Sequence, residues 1–398
     1  MSEVTANSQA NGASAWRRRA LIGGGVVVGA AAATGLWRAI TTGMILQGDE
    51  AFEPWQAWGR TQAGDPLSLV AAAILASSPH NTQPWLFFVR DDRIDVRSDP
   101  SRSLGAMDPF GREMWQGLGA AIANIEIAAL ARGFAASTTL RPDQTDDTLA
   151  ARITLTPSKA LASTLASVIA KRSTNRAAYD PDRPVSPSVL EHIAKDDNDD
   201  VRVVWLAAGS EQGKAFADAT LRGTEQISAD ADMSDASHHW FRASPKAVAQ
   251  HRDGVSTPTA GIPPLIATLS PLLPPVDGKT AGEYWLRSTK MQLASAPTYA
   301  LITVRDLYDR RGQLLAGARW QRVHLQLTEM GLAAHPLNQL MEIVDRDRQL
   351  KRPSPTSSLL ARLAGEPGWA PTFAFRLGYP TREVPRSPRR KLSSVITP

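Results

Sequence analysis

The chain has no cysteine in 398 residues. That excludes disulfides, thiolate metal sites and a cysteine nucleophile. It leaves the compartment open, because a large exported protein can be stable without disulfides. The 7 histidines, including the pair His238-His239, show no metal-ligand spacing with carboxylates, and no zinc motif occurs. No Gly-x-Ser-x-Gly elbow is present, which argues against a common hydrolase. The glycines Gly23 to Gly25 follow no strand, so they are not a dinucleotide fingerprint. The formal charge of +5 comes largely from arginines near the two ends. With no basic stripe interleaved with aromatics, nucleic-acid binding is not indicated. Hydrophobic residues at 43% and charged residues at 21% describe a globular chain with a substantial core.

The N-terminus has its own composition. Residues 1–15 are small and polar, and read as disordered. Trp16-Arg17-Arg18-Arg19 then precede an uncharged Gly/Ala/Val stretch from Ala20 to Trp37. A positive region before a mildly apolar one is an export-signal layout, and the paired arginines resemble a twin-arginine signal. The alternative is an uncleaved anchor, although the repeated glycines make it a poor hydrophobe. The twin-arginine reading is preferred. Residues 1–45 are thus expected to act in export or membrane attachment, placing the folded body on the periplasmic side.

The densest chemistry lies at Ser77-Ser78-Pro79-His80-Asn81-Thr82-Gln83-Pro84-Trp85. An alanine-rich helical stretch (Leu67 to Ala76) precedes it, and an apolar strand (Leu86 to Val89) follows. Pro79 and Pro84 stop the helix and hold the backbone. Small polar groups on a rigid helix-to-strand turn suit a flat, polar-edged ring; an ordinary turn has the same composition. A second cluster, Arg172-Ser173-Thr174-Asn175-Arg176, places two guanidiniums and a hydroxyl within five residues. Such a set can surround a phosphate, and an exposed arginine pair can equally be solvated surface.

The body reads as a duplicated plan. The first half, 66–157, holds the turn, strands Leu86–Arg90 and Arg93–Arg97 joined at Asp91-Asp92, and a long helix from Gly111 to Arg132. The second half, 158–398, repeats helix and strand (Val201–Leu206), then a long helix from Leu314 to Gly331. Gly119-Ala120 through Gly133-Phe134 parallels Gly317-Ala318 through Gly331-Leu332 in pattern. Duplication is the preferred reading; two amphipathic helices can also resemble each other by chance. A proline-dense segment, 255–282, is too broken for regular structure and too apolar for a free linker. It is expected to be a lid over a pocket or a loop wrapping the surface. Phe52 to Asp65 is a tryptophan-bearing connector expected on the surface of the core.

Together, Ser77 to Trp85, Arg172 to Arg176 and the C-terminal Leu377-Gly378-Tyr379-Pro380 resemble motifs of the nitroreductase superfamily, in the order seen in its Acg-type branch. The resemblance implies an α+β fold: a central, mainly antiparallel sheet flanked by long helices, in two pseudo-symmetric halves fused in one chain. It implies FMN as cofactor. Ser77, Ser78, Pro79 and Asn81 would meet the flavin ring, with Gln83 beside them locking the turn. Arg172, Thr174 and Arg176 would hold the phosphate. The basic tail at Arg389 and Arg390, and the loop at Asn338 and Gln339, are further cofactor contacts by the same resemblance. His238-His239 reads either as a substrate wall or as a plain helix face. No catalytic acid or base and no metal ligand is assigned, since the flavin carries the chemistry. The implied activity is hydride transfer from NAD(P)H through FMN to a small electron acceptor. The rival reading is a flavin-binding protein without turnover, and a blander one is a chain that has lost its cofactor. One FMN per monomeric pseudo-dimer is expected.

Overall fold

The computed structural model describes residues 37–42, 49–272 and 278–398. The arginine-led segment expected to direct export lies outside the described residues, apart from the short helical stretch 37–41.

Two sheets form, one in each half. Asp91-Asp92 turns β1 (Trp85–Arg90) into β2 (Arg93–Ser98), and Phe87 and Val96 pair across them. The helices Glu53–Ala57 (α1) and Leu67–Ala73 (α2) precede this hairpin, and Arg112–Ala131 (α3) follows it. Asp108 starts α3 by accepting from the Glu113 and Met114 amides at 3.1 and 2.9 Å. Gly133, at φ 80°, stops it and sends the chain into β3 (Phe134–Leu140) and β4 (Leu149–Pro157). The strand order is β1-β2-β4-β3, all antiparallel.

The second half repeats the order. β5 (Val201–Ala207) is followed by a long insertion, residues 208–297, where the first half has two residues. The insertion carries Glu211–Ala229 (α4), the small parallel pair β6 (Phe241–Arg242) and β7 (Val255–Ser256), Pro264–Leu269 (α5) and Gly278–Ala294 (α6). Then come β8 (Thr298–Val304), α7 (Arg310–Glu329), β9 (Ala333–Pro336), α8 (Gln339–Gln349) and β10 (Ala370–Gly378). Their order, β5-β8-β10-β9, again puts the strands in positions first, second, fourth, third. In both halves the long helix joins the second strand to the third. The expected antiparallel sheet is thus divided, one sheet per half. A last strand, β11 (Ile396–Thr397), returns to the first sheet and pairs parallel with β1 through Phe87 and Ile396.

The two long helices cross at reciprocal glycines. A Cβ on Gly119 would stand 2.0 Å from the Leu314 carbonyl oxygen, and one on Gly317 would stand 1.9 Å from that of Gln116. Each contact is therefore the mirror of the other, as across a two-fold axis. Only residues without a side chain allow this approach. The mirror pairs, Gly119 with Gly317 and Gln116 with Leu314, fall in the register of the Gly-Ala parallel read from the sequence.

Two expectations are corrected. The segment 255–282 is not free of regular structure: it folds as β7, a 3-10 turn at Thr257–Thr259, α5 and the start of α6. The Phe52 to Asp65 connector is not a surface cover, since Trp55 and Trp58 are buried in the first core. That core also takes in Ala166, Val168 and Ile169, beyond the boundary at 157.

Candidate functional site

The Ser77 to Trp85 turn is strained. His80, Asn81 and Gln83 have φ of 45°, 56° and 52°, a region that non-glycine residues rarely enter. The surroundings hold it there. The Ser77 hydroxyl donates to the Gln321 Oε1 at 3.0 Å and accepts from the Trp320 Nε1 at 2.8 Å, fastening the turn to α7. The Ser78 hydroxyl accepts from the Gln83 amide at 3.0 Å. Pro79 packs where a side chain on Gly117 of α3 would otherwise stand. Strain of this kind costs about 1–3 kcal/mol per residue and collects at functional sites.

Ser77, Ser78 and Asn81 line one cavity together with Arg172, Thr174 and Arg176. Two segments about 90 residues apart therefore meet, as α7 carries the first and β9 the second: Thr174 bridges to Ala334. Arg389 of the C-terminal tail enters the same cavity, and Trp55 of α1 closes it. Trp55 was not picked out from the sequence, because its role depends on a contact with the tail more than 300 residues away. Its indole lies 4.5 Å from the Arg389 guanidinium and 5.6 Å from that of Arg172.

The electrostatics of this cavity are one-sided. Arg172 and Arg389 are each 2% exposed, and Arg176 is half-buried. Among the described residues, none of the three forms an ion pair with a carboxylate. Their partners are neutral: Arg172 Nη2 donates to the Leu75 carbonyl at 3.1 Å, and Arg176 Nη1 to that of Thr259 at 3.1 Å. Arg389 donates to the Asn81 Oδ1 at 2.7 Å and to the Ala76 carbonyl at 3.1 Å. The Nε groups of Arg172 and Arg389 are buried without a partner among the described residues. Burial, with Arg386 nearby, pushes Arg172 down to about 10. Burial also brings Arg176 down to about 10, and burial with Arg172 alongside drives Arg389 well below its ordinary value. His80 is held neutral, near 4, by burial and by Arg176. A buried charge without a counter-charge is expensive, so this donor set suits an anion, and a phosphate above all.

Space fits less well than chemistry. The cavity measures about 30 Å³, room for one or two waters, whereas pockets for cofactor-sized ligands hold roughly 300–1,000 Å³. The Asn81 amide is already bonded to the Gly254 and Pro388 carbonyls at 3.2 and 3.1 Å. A flavin phosphate thus finds its donors in place, while a flavin ring requires Trp55, Gly254 and the 387–389 tail to move aside.

The other expected contacts lie elsewhere. Gln83 is fully buried behind the turn, donating to the Arg252 carbonyl at 2.8 Å and accepting from the Arg390 amide at 2.8 Å. Arg390 is drawn to the Gln83 and Trp85 carbonyls, at 3.1 and 3.3 Å, and not to the cavity. His238 and His239 end a helix, Ala231–His239, outside the cavity lining. Asn338 and Gln339 face a different buried cluster. Asn338 donates to the Glu113 Oε1 at 2.9 Å and accepts from the Ala374 amide, so β10 holds it away from the cavity. Gln339 reaches toward Thr224 of α4 at 3.4 Å.

That cluster gathers Asp108, Glu113, Glu342 and Asp345, all at most 5% exposed, around the single guanidinium of Arg112. Arg112 pairs with Asp345 at 2.7 Å, and the Tyr308 hydroxyl donates to the same carboxylate at 2.9 Å. Burial and the neighbouring carboxyls raise Glu113 to about 8, while Asp108 and Glu342 are also raised.

No protein-family model matches the chain. A Mycobacterium tuberculosis protein named as a candidate NAD(P)H nitroreductase is 27% identical over 338 residues, spanning 83% of this chain and 90% of the relative. A second M. tuberculosis protein, the candidate nitroreductase Acg, is 34% identical over 90 residues, 23% of this chain and 27% of the relative. Among solved structures, an FMN-dependent nitroreductase of Mycobacterium smegmatis matches with a TM-score of 0.38 and 15% identity, covering 58% of this chain and 96% of that one. A nitroreductase-like structure from Anabaena variabilis matches at 0.40 with 12% identity, covering 72% of this chain and 69% of that one. At such scores these two likenesses add nothing to the assignment. The sequence similarity to the first relative, running through most of both chains, supports the nitroreductase superfamily.

Proposed function

We propose that this chain binds FMN and acts as a nitroreductase-type oxidoreductase that takes electrons from NAD(P)H. The observation that carries the reading is the convergence of Ser77–Asn81 and Arg172–Arg176 on one cavity whose guanidiniums lack acidic partners among the described residues. Arg172, Thr174, Arg176 and Arg389 would hold the phosphate. Ser77, Ser78 and Asn81 would stand at the ring edge once the cover retreats. Bound FMN supplies the hydride chemistry; the residues bind, orient and exclude water. The reciprocal crossing of α3 and α7 supports a fused pseudo-dimer with one FMN per monomeric chain.

A second reading is favoured by one observation. The cavity is closed and the Asn81 amide is committed to its cover. A cover that also shuts over bound flavin would exclude a nicotinamide, leaving a flavin-holding protein without turnover. One anaerobic titration separates the two. Flavin absorbance bleached by NADPH supports the reductase, and flavin retained but unbleached supports the holding protein. A colourless protein that rejects added FMN overturns both. The export route is part of the same proposal and rests on Arg17 to Arg19 and the uncharged stretch after them.

A further inference from the structure

Large apolar side chains on the surface are concentrated at one place. In α5, Leu265, Ile266 and Leu269 are 73%, 55% and 46% exposed. The short helical stretch 37–41 exposes Trp37 at 62% and Ile40 at 51%. Far apart in sequence, the two lie close in the fold: Arg38 Nε donates to the carbonyl of Pro271, two residues past α5 and 233 positions away, at 3.4 Å. Scattered single exposures are ordinary, whereas a contiguous patch of this kind marks an interaction surface.

We infer that this face docks on a lipid bilayer. Three features select lipid over a protein partner. The chain enters the patch from Ala20 to Trp37, 18 residues without a charge, led by Arg17 to Arg19. The patch's second element sits inside another uncharged run, Gly261 to Val276. An exposed cation also stands beside it, since the Lys246 amide donates to the Thr42 carbonyl at 2.9 Å and its side chain faces solvent. Tryptophan and branched aliphatics beside a basic side chain are the composition of an interfacial element lying in a headgroup layer. The one described helix long and apolar enough to span a bilayer, α3, is spent against the core instead. The docking face also adjoins the anion cavity. Gly261, three residues before α5, packs so closely on Arg176 that a Cβ there would stand 2.4 Å from its carbonyl oxygen. The inference does not depend on FMN.

The absence of cysteine makes the test clean. Leu265→Cys in the full chain carries one thiol, which a nitrobenzoxadiazole label reports; Leu161→Cys, exposed just past β4, is the control. Both are mixed with vesicles of phosphatidylcholine and phosphatidylglycerol. Tethering by the N-terminus brings both labels near the membrane, but docking buries only one. The expected result is a blue shift at position 265, quenched by spin labels in the lipid chains, with no shift at 161. Equal behaviour at the two positions overturns the inference. So does a label at 265 that is already shielded without vesicles, because the patch is then covered by protein.

Discussion

In one region of this molecule Arg172 and Arg389 are buried with no carboxylate beside them among the described residues; in another, four carboxyls enclose the single guanidinium of Arg112. The excess charges are opposite, and so are the ways out. A buried carboxyl can take a proton and become neutral, as the raised Glu113, near 8, and Glu342 do. A guanidinium has no such exit at neutral pH; even lowered to about 10, Arg172 and Arg176 stay charged. The acid cluster is therefore complete in itself, closed by Arg112, Asn338 and Tyr308. The arginine cluster is complete only with an anion from outside.

The strongest way to break the contrast is to remove the arginines. R172A/R176A deletes two charge-assisted contacts worth about 1.5–3 kcal/mol each, so FMN affinity measured by flavin-fluorescence quenching should fall at least about 100-fold. Retained affinity would mean that the phosphate is held elsewhere. Next comes the junction that carries both clusters, since α3 bears Arg112 and Glu113 and α7 bears Trp320 and Gln321. G317A drives a Cβ to 1.9 Å from the Gln116 carbonyl oxygen. Overpacking of this order costs about 3 kcal/mol, visible as a lowered urea midpoint and loss of both sites together.

The acid side is sharpened by pH. Glu113 titrates near 8 folded and near 4.5 unfolded, so between those values the folded chain binds more protons. Stability from this group is fully present below the unfolded value and is lost as pH rises through 8. Tm should fall from pH 6 to pH 9, and E113Q should flatten that slope. An unchanged slope would remove Glu113 as its source. The smallest effect belongs to Ser77→Ala, which leaves the Trp320 Nε1 without its partner at a cost of about 1–3 kcal/mol. Thermal melting should show the loss, with a lesser change in FMN affinity than the arginine pair gives.

Much of this was readable from residues alone, where the signal is local. The Ser77 to Trp85 turn, the Arg172 to Arg176 run and the Gly-Ala register of the long helices are each contained in a short stretch. The α+β fold was implied by the resemblance those motifs carry. What stayed hidden depends on packing between distant segments. Nothing near Trp55 announces that the tail at Ser387 to Arg389 will cover it. Asn338 and Gln339 follow a helix of the right kind, but β10 turns them toward Glu113. The cavity's size is set by three covering segments, so a ring-sized space could not be inferred from the motifs that line it.

The account stands on the unpaired arginines seeking a phosphate. The direct test compares FMN with riboflavin, which has the same ring and no phosphate, by fluorescence titration of the purified chain. One FMN per chain, with riboflavin bound at least about 100-fold more weakly, is the predicted result. Equal binding of the two, or binding of neither, would contradict it.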